Sequence, residues 1–165
     1  MSSTIEISIY RRCIELAENN EIEAALEISN SIDMDAIRDD LELKISQIVR
    51  KKMEDISFLT LAEVDDLATL AWKIPVFAEK IIAINELMLK ILFCLPNEIA
   101  IPKSIEIARM SGNEDEISIG LSKLCILLID EDLEEASGLA ETISDRVLRN
   151  QTLAEIQSAI EKKKK

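Results

Sequence analysis

The stretch Ile22–Val49, IEAALEISNSIDMDAIRDDLELKISQIV, lies over Leu133–Ile160, LEEASGLAETISDRVLRNQTLAEIQSAI, at a constant offset of 111 residues with no gap. Glu23 falls on Glu134, Ala25 on Ala136, Ile32 on Ile143, Arg38 on Arg149 and Ile45 on Ile156. Apolar positions also coincide at Ile22/Leu133, Ile28/Leu139, Ile37/Leu148 and Val49/Ile160. Their recurrence at three and four residues is that of a helix with one buried side. Asp33 meets Ser144, and both residue types cap helix starts. Each stretch predicts two helices joined by a tight connection. A chain that uses the pattern twice predicts a string of similar helical hairpins.

Working outward, the same spacing predicts a leading helix over residues 4–19, with a capping box at Ser3 and Glu6 and an apolar side at Ile7, Ile14 and Leu16. Further helices are predicted over 20–32, 35–52, 60–74, 75–95, 102–110, 113–129, 130–143 and 145–161. Ile22, Ala25, Leu26, Ser29 and Ile32 form the stripe of the second. Thr60 with Glu63 and Asn113 with Glu116 have capping-box spacing. Pro75 and Pro102 suit first-turn positions, where a missing N–H costs nothing. Asp33 or Asp35, Asp130 and Ser144 are the other expected starts, and Lys162–Lys165 is expected to be a frayed basic tail. This gives one leading helix and four hairpins, each a shorter helix before a longer one. Pro75–Leu95 and Glu114–Ile129 are apolar around most of their circumference and are expected to form a central core.

Composition supports an all-α fold in a single domain over residues 1–165, as stacked antiparallel hairpins in a right-handed, solenoid-like or compact array. Apolar residues make up 48% of the 165, enough for a sizeable core, and only 3 Gly and 3 Pro are present, too few for the turns of an all-β fold. The formal charge is −13, with 32 acidic against 19 basic residues. Such a surface repels phosphate backbones and complements a basic protein. The most apolar stretch carries Glu79, Lys80, Glu86 and Lys90, which argues against a membrane span. Cys13, Cys94 and Cys125 make an odd number without a Cys-x-x-Cys pair, so a reducing, cytoplasmic setting is expected. The start shows no apolar run behind a basic cluster, the mark of a signal peptide. The absence of His with abundant Ile, Glu and Lys hints at a thermophilic archaeal source.

The pattern Ala-x-x-Ile-(Ser/Ala)-x-x-Ile, a capping residue, Ile/Leu-Arg, and Ile eight residues beyond the Ile/Leu resembles the two-helix repeats of α-solenoid proteins. It is similar to tetratricopeptide and HEAT-like arrays, archaeal ones included. Counterparts in the middle of the chain are Leu70-Ala71 with Ile74 and Ile107-Ala108 with Ser111. The tetratricopeptide consensus itself is not matched, because Trp72 lacks the Leu-Gly pair that should follow. The resemblance implies a curved stack with a partner-binding face, and it carries over no functional residue.

Catalytic chemistry finds little support in the residues. With no His, triads and histidine–metal sites are excluded, and the three glycines form no phosphate loop. Glu131, Asp132 and Glu135 resemble half of the magnesium site of MazG-type nucleotide pyrophosphohydrolases. The second half fails, since Glu155 is followed three residues later by Ser158. No cofactor or metal is expected, and a carboxylate-metal hydrolase stands as the enzymatic alternative.

The expected function is therefore a non-enzymatic scaffold for another protein. A self-assembling structural protein, dimerising through Pro75–Leu95, is a further alternative. Candidate partner-binding residues are Asp39, Asp40, Glu79, Glu86, Lys90, Glu131, Asp132 and Glu135. The acidic ones serve equally as solvated helix starts. Arg38 and Arg149 are expected to anchor against acidic groups of neighbouring helices. Aromatic content of 3% leaves few residues of the kinds that dominate binding hot spots.

Overall fold

A computed structural model describes the backbone of residues 2–164 and the side chains of residues 7–164. The Ser3–Glu6 capping box and Lys165 lie outside the described residues. Among those described, the chain is all-α, with nine helices: α1 Ser2–Glu18, α2 Ile22–Asn30, α3 Asp35–Glu54, α4 Leu61–Trp72, α5 Phe77–Cys94, α6 Asn97–Arg109, α7 Glu114–Leu128, α8 Leu133–Ala140 and α9 Arg146–Lys163. None is long and apolar enough to cross a membrane. The chain divides into two compact units, Met1–Ser57 with Asp65–Leu87, and Phe58–Val64 with Met88–Lys165, so the division runs through α4 and α5.

In the first unit, α1, α2 and α3 each pack against the other two. Cys13, Leu16 and Ala17 of α1, Ile22 and Ala25 of α2, and Leu41, Ile45, Val49 and Met53 of α3 are buried. Ile14 is half-buried, and Ile7 is exposed, because the buried side of α1 is set by Cys13, Leu16 and Ala17. The chain leaves α1 through Asn20, whose φ of 67° is in the left-handed region that Asn tolerates. Lys52 of α3 reaches the last carbonyls of α1, donating to Ala17 at 3.2 Å and to Glu18, and also to Asn20 Oδ1. The start of α5 docks on α3: the Val76 N–H donates to the buried Ser46 hydroxyl at 3.2 Å, and Arg50 pairs with Glu79. Lys73, just past α4, pairs with Glu23 of α2 at 2.8 Å.

The second unit repeats that scheme. Helix α7 packs against α6, α8 and α9, and α8 against α9. Gly120 lets the α7 backbone approach α6, since a Cβ there would lie 3.4 Å from both the Cβ and the carbonyl oxygen of Ala108. The Asp145 N–H donates to the buried Ser118 hydroxyl at 3.3 Å, and Ser122 bonds Thr152 at 2.7 Å, tying α7 to α9. Arg109 ends α6 with a 3.2 Å bond to Thr142, just past α8.

The 111-residue offset carries through to individual hydrogen bonds. α2 and α8 begin at matched residues, as do α3 and α9. Arg38 donates to the Ile32 carbonyl at 3.0 Å, and Arg149 to the Ile143 carbonyl at 3.1 Å. The Ser31 hydroxyl donates to the Ile28 carbonyl at 2.6 Å, and the matched Thr142 hydroxyl to Leu139 at 2.7 Å. The equivalence also takes in the preceding helix, because the bounds of α7 fall within α1 at the same offset. The corner bonds Asn20 N–H to Ala17 O and Glu131 N–H to Leu128 O are both 3.1 Å. The matched helix bounds and hydrogen bonds thus extend over three helices, where the sequence alone suggested hairpins.

Several expected helix starts shift. α6 begins at Asn97, and Pro102 lies inside it, because Pro96 (ψ 149°) already sets the start. Pro102 is exposed, so the carbonyl its missing N–H would have served can be met by water. Pro75 precedes α5 by two residues. Asp145, rather than Ser144, caps α9 by accepting from the Leu148 N–H at 2.9 Å, while Ser144 bonds Ser118 at 3.1 Å. Met34 occupies the N-cap of α3 and makes no side-chain cap. Asn113 caps α7 as expected, at 2.9 Å to Asp115 N–H and 3.2 Å to Glu116 N–H, but Glu116 turns to the Ser111 hydroxyl. At α4 the Glu63 carboxylate returns to the Thr60 N–H at 3.3 Å. Helix α9 runs on through Lys163, two residues into the expected frayed tail.

Candidate functional site

Helix α3 carries Asp39 and Asp40 on its exposed side. Asp40 accepts from the Tyr10 hydroxyl of α1 at 2.8 Å. Burial, then the hydrogen bond to Asp40 and its charge, push the Tyr10 phenol from 10.0 up to about 12. Asp40 is therefore partly a structural group. Glu79 is more so: Arg50 holds it together with Glu54. Hydrogen bonds, Glu54 first and Glu79 next, push the Arg50 guanidinium above its ordinary value. Glu86 and Lys90 are half-buried on α5.

Glu131 and Glu135 are exposed, while Asp132 caps α8 by accepting from the Glu135 N–H at 3.1 Å. The cluster that resembles half a magnesium site is thus built around a helix start. Among the described residues, no group of three or more His, Cys, Asp or Glu is arranged to hold a metal ion. Arg38 and Arg149 act inside their own segments, on the carbonyls of Ile32 and Ile143, and Arg38 also pairs with Asp35 three residues before it. Their expected partners on neighbouring helices are replaced by these, because each arginine lies in the first turn of its helix, within reach of the preceding connection.

Burial works against two of the thiols. Burial pushes Cys125 up to about 12 and raises Cys13 as well, the reverse of what a nucleophile needs. An open depression of about 490 Å³ over the end of α1 is lined by Arg12, Leu16, Asn20, Glu23, Leu70 and Lys73. Two of its cations are already paired, Arg12 with Glu15 at 3.8 Å and Lys73 with Glu23 at 2.8 Å.

The feature that stands apart is where the aromatic residues lie. The buried core consists of aliphatic side chains, Cys and Met. The chain has three phenylalanines, and all are on the surface: Phe58 is 73% exposed, Phe77 49% and Phe93 85%. Burying one such side chain fully is worth about 1.5–3 kcal/mol, a gain the fold leaves unused at each position. Leu61, Ile82, Leu89 and Ile99 are also exposed. Phe58, Leu61, Leu89, Phe93 and Ile99 belong to the second unit.

No protein family matches the chain, and no curated protein or solved structure matches it. The arrangement of its own residues is what a functional reading rests on.

The sequence pointed to Glu79, Glu86 and Lys90 as a narrow polar strip on α5. A signal for the wider face was present. Glu86, Leu89, Lys90 and Phe93 have the spacing i, i+3, i+4, i+7, which places all four on one side of a helix. Leu89 and Phe93 therefore share the polar side. Phe58 and Leu61 flank the buried Leu59 at the start of α4, where no periodic run announces which side faces out.

Proposed function

We propose that this chain is a non-enzymatic module that holds a protein partner, built as a helical repeat of the α-solenoid kind. The observation that carries this reading is the surface placement of all three phenylalanines beside an aliphatic core. Large apolar side chains kept in water mark interaction surfaces more often than folding requirements. The duplicated three-helix arrangement supports it, since stacked helical elements present extended faces and leave loops short. The charge of −13 gives such a surface a preference for basic partners. Free Cys13, Cys94 and Cys125 suit a reducing compartment, the cytoplasm.

Affinity capture from source cells, at low and at high salt, tests the proposal. A scaffold of this charge retains a discrete basic protein, and retains it better at low salt. Turnover of a nucleotide with Mg²⁺ or Mn²⁺ and no retained protein would overturn it.

A further inference from the structure

We infer that the exposed side of α5 pairs with the same side of a second copy of this chain, the two helices running antiparallel about a two-fold axis. The inference goes beyond the binding-module reading, and either can fail without the other.

One unbroken helix, Phe77–Cys94, supplies the whole surface. Ala78, Ile82 and Glu86 stand four residues apart, and so do Asn85, Leu89 and Phe93. At about 100° per residue, all six fall within about 100° of arc, as two adjacent ridges. Ala78 is exposed, Ile82 is 44% exposed, Leu89 43% and Phe93 85%, while Asn85 and Glu86 are half-buried. The opposite side of the same helix holds Ala83, Ile84, Leu87, Met88 and Ile91, all buried.

The order of residues along the ridges selects the occupant. Positions 78 and 93, 82 and 89, and 85 and 86 lie at equal distances on either side of one midpoint, between Asn85 and Glu86. A two-fold axis through that midpoint lays the first ridge of one copy along the second ridge of the other, in opposite directions. Ala78 then meets Phe93, Ile82 meets Leu89, and Asn85 meets Glu86. The small side chain faces the large one, two branched aliphatics fill the space between, and the Asn85 amide N–H donates to the Glu86 carboxylate. Each of these contacts occurs twice. Ridges of i, i+4 spacing packed on one another give the helix crossing commonest in globular proteins. A partner of unrelated sequence imposes no such symmetry on the stripe. Glu86 is the one charged residue within the ridges. The rest of the repulsion, from −13 on each copy, is spread over the surface and screened by salt. The pairing therefore tightens as salt rises, the opposite of what capture of a basic partner does.

Sedimentation of the full chain over a concentration series tests the pairing. Two helix sides make a small contact, so monomer–dimer exchange is expected with a dissociation constant on the order of 10 µM at about 0.5 M salt, and weaker at low salt. Leu89→Ser should weaken it about tenfold. Ala78→Phe should weaken it about as much, by setting a second large ring against Phe93. Combining Ala78→Phe with Phe93→Ala should restore it, because the symmetry exchanges the two places. Gln157→Ser on α9 should change nothing. All these positions are exposed, so the variants keep the wild-type helicity, checked by circular dichroism. A monomer at every concentration up to about 1 mM, a dimer indifferent to Leu89→Ser, or a double variant no better than Ala78→Phe alone would overturn the assignment. A monomer that still retains a basic protein from source cells leaves the module reading standing without this pairing. A salt-strengthened dimer that retains none leaves the pairing without the module.

Discussion

Arg38 and Arg149 make the same hydrogen bond at the same place in two segments 111 residues apart, each reaching back six residues to a carbonyl, that of Ile32 at 3.0 Å and that of Ile143 at 3.1 Å. These carbonyls close the connection between a short helix and a long one, so the arginine clamps the corner that defines each segment. A charged donor on a partly buried carbonyl contributes about 1.5–3 kcal/mol. Arg38→Met and Arg149→Met should each lower unfolding stability by about 1–2 kcal/mol, allowing for partial exposure. Denaturant titration checks this. A loss at one site and none at the other would show that the segments are alike in outline only.

The single tyrosine permits a clean pH experiment. Tyr10 titrates at about 12 in the folded chain against 10.0 ordinarily. A phenol whose folded pKa is raised contributes stability that is whole below pH 10.0 and is lost as pH climbs toward about 12. Tyrosinate absorbance should therefore rise late, and stability should fall across that window. Asp40→Ala removes the hydrogen bond and the charge, but burial, the larger cause, stays. Its midpoint should move only part of the way back. A midpoint at the ordinary value in the wild type would remove the Tyr10–Asp40 contact from the account.

Thiol chemistry reports the core independently. Cys13 and Cys125 are buried and Cys94 is half-buried. A thiol reagent at neutral pH should modify Cys94 first, and reach Cys13 and Cys125 only once the chain is unfolded. Mass spectrometry of the early product identifies the site. Rapid labelling of Cys125 would contradict its position between α7 and its neighbours.

Three substitutions should stabilise the fold to different degrees. The Ser104 hydroxyl of α6 is buried without a hydrogen-bond partner, so Ser104→Ala removes a desolvated group and favours the helix, for a gain of about 1 kcal/mol. Gly138 sits in α8 with nothing within 4 Å of an added Cβ, and its matched position in α2 is Glu27. Gly138→Ala should gain about 0.5–1 kcal/mol from backbone entropy alone. Gly120→Ala should gain less, since its Cβ would press on Ala108 at 3.4 Å. Thermal melts of the three variants give the order.

Much of the fold was legible because Ile and Ala recur at helical spacing and because matched residues mark matched corners. Helix starts were less so. At Ser144-Asp145 two capping residues stand side by side, and the stronger acceptor, Asp145, takes the helix. Between Pro96 and Pro102 the earlier proline sets the start, and the later one is absorbed on the exposed side. The match of α1 with α7 stayed hidden because the two share few residue identities, Ile9 standing where α7 has Gly120. Their likeness is one of position and packing. At the candidate surface the acidic residues attracted attention first. Asp132 and Glu79 prove to be a helix cap and an ion-pair member. The exposed phenylalanines lay within apolar runs, where sequence alone assigns them to the core.

The most direct measurement is site-specific photocrosslinking in source cells, with a benzophenone side chain placed at Phe93 and, separately, at Gln157 on the exposed side of α9. A protein that works through the α5 face gives a discrete protein adduct from position 93 and none from position 157. Adducts of equal yield from both positions, or none from position 93, would contradict it.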